Sequence, residues 1–238
     1  MKKSIVGVSL LTVFLCSGCI LSKIDQSIVY LKDDTFCCQE IGEGEAAVGD
    51  IKDEERKSYY FIPETIDGHT ITQLGYPGFY YTGSGALKLN DVTIDKIYVP
   101  STVEKCFKDY LEYVKYDEFS ILYCGKVFDL DHLCQFNNDI YVPKEKYSEF
   151  EAVFTGKKET LKMANVAYDY NYEGKEYYYV DYIASGEKIV NIPPKPLREG
   201  YQFSGWYKDL ELTIEFDFEH DTVMLDKDSE LRLYAKWE

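Results

Sequence analysis

Two tryptophans, three methionines and three histidines are all that 238 residues hold of those types. Long apolar runs are missing too: Ile5 to Leu15 falls well short of the roughly 20 residues a spanning helix needs. Basic charge is scarce, with 26 Lys and Arg against 42 Asp and Glu and a formal net charge of -16. Such a surface repels phosphate backbones, so nucleic acid is not an expected partner. The charge reads instead as a device for solubility at a crowded cell surface. Catalytic signatures are equally absent: no GxSxG, HExxH, phosphate loop or dinucleotide-binding glycine pattern occurs. Gly83-Ser84-Gly85-Ala86-Leu87-Lys88 lacks the spacing and terminal hydroxyl of a phosphate loop, and reads as a turn. His69, His132 and His220 are scattered, and Asp129, Asp131 and His132 form a cluster shorter than a metal site needs. Asp226, Asp228 and Glu230 alternate like the start of a calcium loop without its central glycine. Paired carboxylates are plentiful, yet no pair is singled out for glycosidase chemistry. No enzyme, metal or cofactor is expected.

What is abundant is tyrosine. The 23 tyrosines and an aromatic share of 16% favour β-rich structure, because aromatic side chains suit the half-buried face of a strand. Seven cysteines occur, and outside Cys16-Ser17-Gly18-Cys19 none stands in a CxxC spacing. Setting aside Cys16 and Cys19 leaves Cys37, Cys38, Cys106, Cys124 and Cys134, which cannot all pair within one chain. Buried thiols are the default, with a disulfide among Cys106, Cys124 and Cys134 as the alternative.

The N-terminus reads as an export signal. Lys2 and Lys3 precede the short apolar run, and Leu15-Cys16-Ser17-Gly18-Cys19 follows it. This stretch resembles the lipobox of bacterial lipoproteins, in which small residues precede a cysteine that receives a diacylglyceryl thioether. The resemblance implies cleavage after residue 18 and lipid attachment at Cys19, with two acyl chains holding the protein stably on a membrane. Losing Lys2 and Lys3 with the signal takes the charge from -16 to about -18. The alternative is an ordinary secretory signal and a free protein.

A weak repeat follows. Ile97-Tyr98-Val99-Pro100 recurs as Ile140-Tyr141-Val142-Pro143, with Tyr60-Phe61-Ile62-Pro63 as a looser copy, so the matching prolines stand 37 and then 43 residues apart. Each copy is a β-favouring run stopped by a residue that cannot donate a ladder hydrogen bond. Ile62-Pro63-Glu64-Thr65-Ile66-Asp67-Gly68-His69-Thr70-Ile71-Thr72-Gln73-Leu74-Gly75, followed by Gly78-Phe79, resembles the leucine-rich repeats of bacterial surface antigens called BspA-like. That resemblance implies a core of Ile62, Ile66, Ile71, Leu74 and Phe79, a turn at Asp67-Gly68, and a short irregular solenoid over residues 59–160. Residues 19–58 are expected to be a tether with one or two capping strands, Gly42 to Lys57 being a mobile acidic loop.

From about Ala164 the pattern changes. Val166, Tyr168, Tyr170 and Tyr172 alternate with Ala167, Asp169 and Asn171, predicting a strand. Glu173-Gly174-Lys175 predicts a turn and Glu176 to Ile183 a returning strand. The last strand, Glu230 to Trp237, places Leu231, Leu233, Ala235 and Trp237 on one face. Glu199-Gly200-Tyr201-Gln202-Phe203-Ser204-Gly205-Trp206-Tyr207 and the terminal Leu231-Arg232-Leu233-Tyr234-Ala235-Lys236-Trp237 together resemble the internalin-type B-repeat, or Listeria-Bacteroides repeat. The resemblance implies a small β-grasp-like domain over residues 164–238, with Tyr201, Phe203 and Trp206 as packing residues.

The expected fold class is thus α+β and β-rich, an irregular leucine-rich-repeat solenoid followed by a β-grasp-like domain. The expected work is binding of an extracellular protein or glycan by a lipid-anchored surface protein, as in adhesion. Tyr80, Tyr81, Tyr177 and Tyr179 are the candidate contact residues, since tyrosine offers apolar area with a polar tip. The alternatives are a solute-binding lipoprotein of a nutrient system and a passive surface spacer. Fold alone does not choose among them.

Overall fold

The computed structural model describes residues 29–51, 57–76, 94–107, 119–133, 138–226 and 229–238. The signal segment, Cys19, Phe79, Tyr80, Tyr81, Cys134 and Asp228 lie outside them. Among the described residues no helix is long and apolar enough to cross a membrane.

Three sheets make up the architecture. The first is mixed and six-stranded, from β1 (Tyr30–Leu31), β2 (Phe36–Gly42), β3 (Glu45–Ile51), β5 (Thr65–Ile66), β6 (His69–Leu74) and β8 (Lys105–Cys106). The second holds β4 (Tyr59–Phe61), β7 (Lys96–Val99), β9 (Ser120–Tyr123), β10 (Asp139–Val142) and β11 (Leu161–Met163), all parallel and stacked in chain order. One short helix, α1 (Tyr147–Val153), leads into β11 and buries Phe150.

The parallel sheet explains the uneven spacing of the prolines. Ile97 pairs with Ile121, and Ile121 with Ile140, so β9 is a further copy of the repeated strand inside the longer interval. Sequence reasoning missed it because Ser120-Ile121-Leu122-Tyr123 ends on Cys124 and Gly125 rather than on proline. Along each strand the side chains alternate between faces. Ile97, Val99, Ile121, Tyr123, Ile140, Val142 and Leu161 enter a core shared with Phe36, Ala46, Val48, Ile62, Ile66, Ile71 and Leu74. Burying one such aliphatic side chain contributes about 1.5–3 kcal/mol, so this shared core is what joins the two sheets.

At Asp67 and Gly68 the chain takes positive φ, 49° and 78°, as a two-residue hairpin turn between β5 and β6 requires. The acidic loop expected over Gly42 to Lys57 is corrected for its first part. Residues 45–51 form β3, paired with β2 and β6, and Ala46, Ala47 and Val48 are wholly buried. Its acidic residues flank an apolar triplet, and Gly44, at φ 73°, closes the hairpin. Average composition concealed a strand with a buried centre.

The third sheet is four-stranded, in the order β13-β12-β15-β14: β12 (Val166–Tyr172), β13 (Lys175–Asp181), β14 (Phe203–Tyr207) and β15 (Leu231–Trp237). The central pair, β12 and β15, runs parallel, while both flanking pairs are antiparallel. Trp206 is buried against Tyr168 at 5.1 Å and Phe203 at 5.2 Å between ring centroids. A Cβ at Gly205 would stand 2.8 Å from Glu215 Oε1, the end of an exposed side chain that can swing aside. Tyr201 departs from the packing expectation. It is 52% exposed, and the Arg198 guanidinium lies 3.8 Å from its ring centroid.

Candidate functional site at the seam between repeat sheet and C-terminal domain

The outward face of the parallel sheet is covered. Tyr98, Leu122, Cys124 and Tyr141 point away from the first core and join a second one with Val166, Tyr168, Tyr179, Val180, Trp206 and Leu233 of the C-terminal domain. Strand β13 crosses β7, β9 and β10. Phe61 stacks on Tyr98 at 3.9 Å and meets Tyr179 edge-on at 5.0 Å, pairs that each add about 0.5–1.5 kcal/mol beyond area burial.

Polar groups pin the same seam. Asp181, fully buried, accepts from Lys96 Nζ at 2.6 Å, the Tyr98 hydroxyl at 2.8 Å and the Tyr182 amide at 2.7 Å. Burial pushes its carboxyl above the ordinary range, while the Lys96 ammonium and these donors pull it back down. Arg232 forms a second clamp, reaching Glu145 at 3.0 Å across the seam, with Glu230 at 3.1 Å and Asp169 at 3.7 Å on its own side. Hydrogen bonds from Tyr177 and Arg232 hold the Glu145 carboxyl below its usual range.

The candidate tyrosines fall on this seam rather than on an open surface. Tyr179 is wholly buried and its hydroxyl donates to the Ile62 carbonyl at 2.7 Å. Tyr177 is also buried, donating to Glu145 at 2.8 Å and accepting from Arg232 at 2.8 Å, although its ring lines a cleft. Their physical role is packing between the two parts. The other two candidates, Tyr80 and Tyr81, lie outside the described residues, as does Cys19.

That cleft, about 590 Å³, opens where the parallel strands end. Ser101 and Thr102 follow β7, Cys124, Gly125 and Lys126 follow β9, and Lys146 follows β10, so successive repeat turns build one wall. Tyr172, Gly174, Lys175, Glu176 and Tyr177, from the β12–β13 hairpin, build the other. Thr102 Oγ1 is shielded from solvent and has no hydrogen-bond partner. Cys124 is buried as a free thiol, and burial pushes its pKa far above that of an ordinary thiol, which removes it as a nucleophile. Sequence reasoning missed the lysines because Lys126 and Lys146 follow strands well apart in sequence and Lys175 opens β13, so nothing local brings the three together.

A second cleft of about 670 Å³ lies at the β11 edge, lined by Tyr147, Met163, Asn165, Tyr182 and Leu225 among others. Its polar groups are already engaged: the Asn165 amide bonds the Ile183 backbone in both directions, and Lys162 pairs with Asp139 at 2.5 Å. Among the described residues no group of three His, Cys, Asp or Glu could hold a metal ion. Asp129 instead staples a turn, accepting from the Asp131 amide and from Thr155.

Residues 165–236 match the Listeria-Bacteroides repeat domain. The match takes in both segments that carried the resemblance and the four strands β12 to β15, apart from the terminal Trp237. Two relatives come from Evansella cellulosilytica. One, provisionally named a Gly-rich membrane protein, is 46% identical over 50 residues, which are 21% of this chain and 5% of that protein. The other, provisionally named a membrane protein, is 42% identical over 50 residues, 21% of this chain and 7% of its own length. The chain therefore spans a small fraction of these relatives.

Proposed function

We propose that this is a non-catalytic binding protein displayed on a bacterial cell surface, tethered by lipid at Cys19 and engaged in adhesion or in protein or glycan recognition. In this reading the parallel sheet is a short leucine-rich-repeat solenoid of the BspA-like kind, and the repeat domain is β-grasp-like. The membrane names of the two relatives accord with such a location.

One observation carries the reading: the cleft of about 590 Å³ is built jointly by the repeat turns and the repeat-domain hairpin. Recognition then belongs to the assembled seam. The usual ligand-facing surface of a curved repeat sheet is closed here by Tyr179 and its neighbours.

The test is to present the full chain to arrays of glycans and extracellular-matrix proteins. Saturable binding that is lost when the cleft is blocked by Gly174→Trp supports the reading, provided the variant keeps the parent's cooperative melting transition, because φ 82° at that turn strains any side chain. Binding untouched by that change moves recognition elsewhere. Selective stabilisation by a small sugar or peptide would favour a nutrient-system lipoprotein, and no ligand at all a spacer.

A further inference from the structure

We propose that the seam cleft recognises a short anionic group, a carboxylate or phosphate ester, carried on an otherwise neutral glycan; this rests on the seam being the recognition site. Lys126, Lys146 and Lys175 all line it, in a protein whose net charge is -16. Their side chains remain 67%, 33% and 38% exposed.

Each lysine has a resident partner, and two of the pairs are loose. Lys126 stands 4.0 Å from Glu104 and Lys146 stands 3.7 Å from Glu176, and these carboxylates are 60% and 72% exposed. Exposed pairs of this kind hold little energy, so an incoming anion can take over the ammonium groups while Glu104 and Glu176 turn to solvent. Lys175 is more firmly held, 3.3 Å from a Glu64 that is only 16% exposed.

The aromatic rings of the cleft argue against a neutral sugar as the main determinant. A neutral sugar is gripped by stacking on an open ring face. Here Lys146 and Arg232 lie 5.2 and 5.1 Å from the Tyr177 centroid, and Arg198 lies 4.6 Å from that of Tyr172. Cations already lie against these rings. What the cleft has to offer is positive charge, the ammonium groups of Lys126 and Lys146 being donors matched to an anion's oxygens. The strongly acidic surface around it repels a long polyanion, which limits the ligand to one or two charges.

Calorimetric titration of the full chain with a maltotriose bearing one terminal uronate, a maltotriose bearing one 6-phosphate and neutral maltotriose tests the inference. At least one charged trimer should bind saturably and maltotriose should not, the tighter of the two charged probes assigning carboxylate or phosphate. Lys126→Gln and Lys146→Gln should each weaken binding about three- to tenfold. Each of these lysines holds only a loose pair, so both changes should shift the melting temperature by no more than about 1–2 °C, which separates lost binding from lost fold. Equal affinity for maltotriose, no binding of either charged trimer, or an unchanged affinity in the double variant would overturn the anionic assignment. If the arrays meanwhile report a neutral ligand blocked by Gly174→Trp, the seam reading stands without it. If the arrays are silent as well, both fail.

Discussion

The Tyr98 hydroxyl donates to the Asp181 carboxylate across 2.8 Å, joining a strand of the parallel sheet to the C-terminal repeat 83 residues further along the chain. Lys96 reaches the other oxygen of the same carboxylate at 2.6 Å. In Asp181→Asn an amide NH2 replaces one of these accepting oxygens and faces a donor, Lys96 or Tyr98, inside the buried seam. The change should therefore cost about 2–3 kcal/mol. In a chain of this size the melting temperature should drop by about 5–10 °C. A variant that melts with the parent would show the seam to be held by its aromatic contacts alone.

Acidification should first stabilise the protein and then destabilise it. Burial raises the folded pKa of Asp181, Asp169 and Glu230, so their folded forms take up protons before the unfolded chain does. Stability linked to them is fully present below the unfolded pKa and is lost as pH rises through the folded value. Glu145 and Asp221 are shifted the other way, by hydrogen bonds from Tyr177 and from Lys208 respectively. Their contribution is present above the unfolded pKa and is lost as pH falls through the folded one. Melting temperature should rise as pH falls from neutral through the range in which the folded forms of Asp181, Asp169 and Glu230 take up protons, pass through a maximum, and fall once the unfolded chain takes up protons ahead of Glu145 and Asp221. A steady decline from neutral pH downward would contradict the burial argument for Asp181, Asp169 and Glu230.

Gly125 cannot accept a side chain. A Cβ there would lie 2.2 Å from the Val103 carbonyl oxygen and 2.5 Å from the Tyr123 hydroxyl. That hydroxyl donates to the Lys126 and Val103 carbonyls, so neither obstacle can yield without breaking the turn. Gly125→Ala should destabilise by about 2–3 kcal/mol, read as a shifted denaturant midpoint at constant slope. An unshifted midpoint would mean that the turn relaxes freely.

Cys124 lies beside the cleft yet should behave as an inert thiol. It is 1% exposed, and no cation lowers its pKa enough to offset burial. An aromatic disulfide reagent should leave it unmodified in the native protein and modify it fully in guanidinium, with the labelled cysteine identified by peptide mapping. Prompt native labelling at Cys124 would mean that the seam opens.

Much of this fold was legible in local pattern. The β12–β13 hairpin was signalled by alternating tyrosines and Glu173-Gly174-Lys175, and the structure turns there, with Gly174 at φ 82°. Ile62, Ile66, Ile71 and Leu74 are all core, as the repeat pattern required. Strand β9 was hidden because its terminator is Cys124-Gly125, and β3 because acidic neighbours masked Ala46-Ala47-Val48. The seam itself was illegible for a different reason. Tyrosine has the same composition value whether it faces a sugar or a neighbouring sheet, and nothing local to Tyr177 or Tyr179 tells which. Only the meeting of β13 with β7, β9 and β10, pairs remote in sequence, decides it. The three cleft lysines share that property, each unremarkable in its own segment.

The parallel pairing of β12 with β15 also sets how the repeat carries load. Val166 opens β12 beside Leu231, while Trp237 closes β15 at the far end of the ladder. A pull on the two ends of the repeat therefore runs along the strands in opposite directions. Hydrogen bonds loaded that way are sheared together instead of being unzipped one after another. Resistance to tension is then a matter of unfolding rate rather than of equilibrium stability. A module joined in this manner can withstand a pull for longer than its melting temperature alone would suggest.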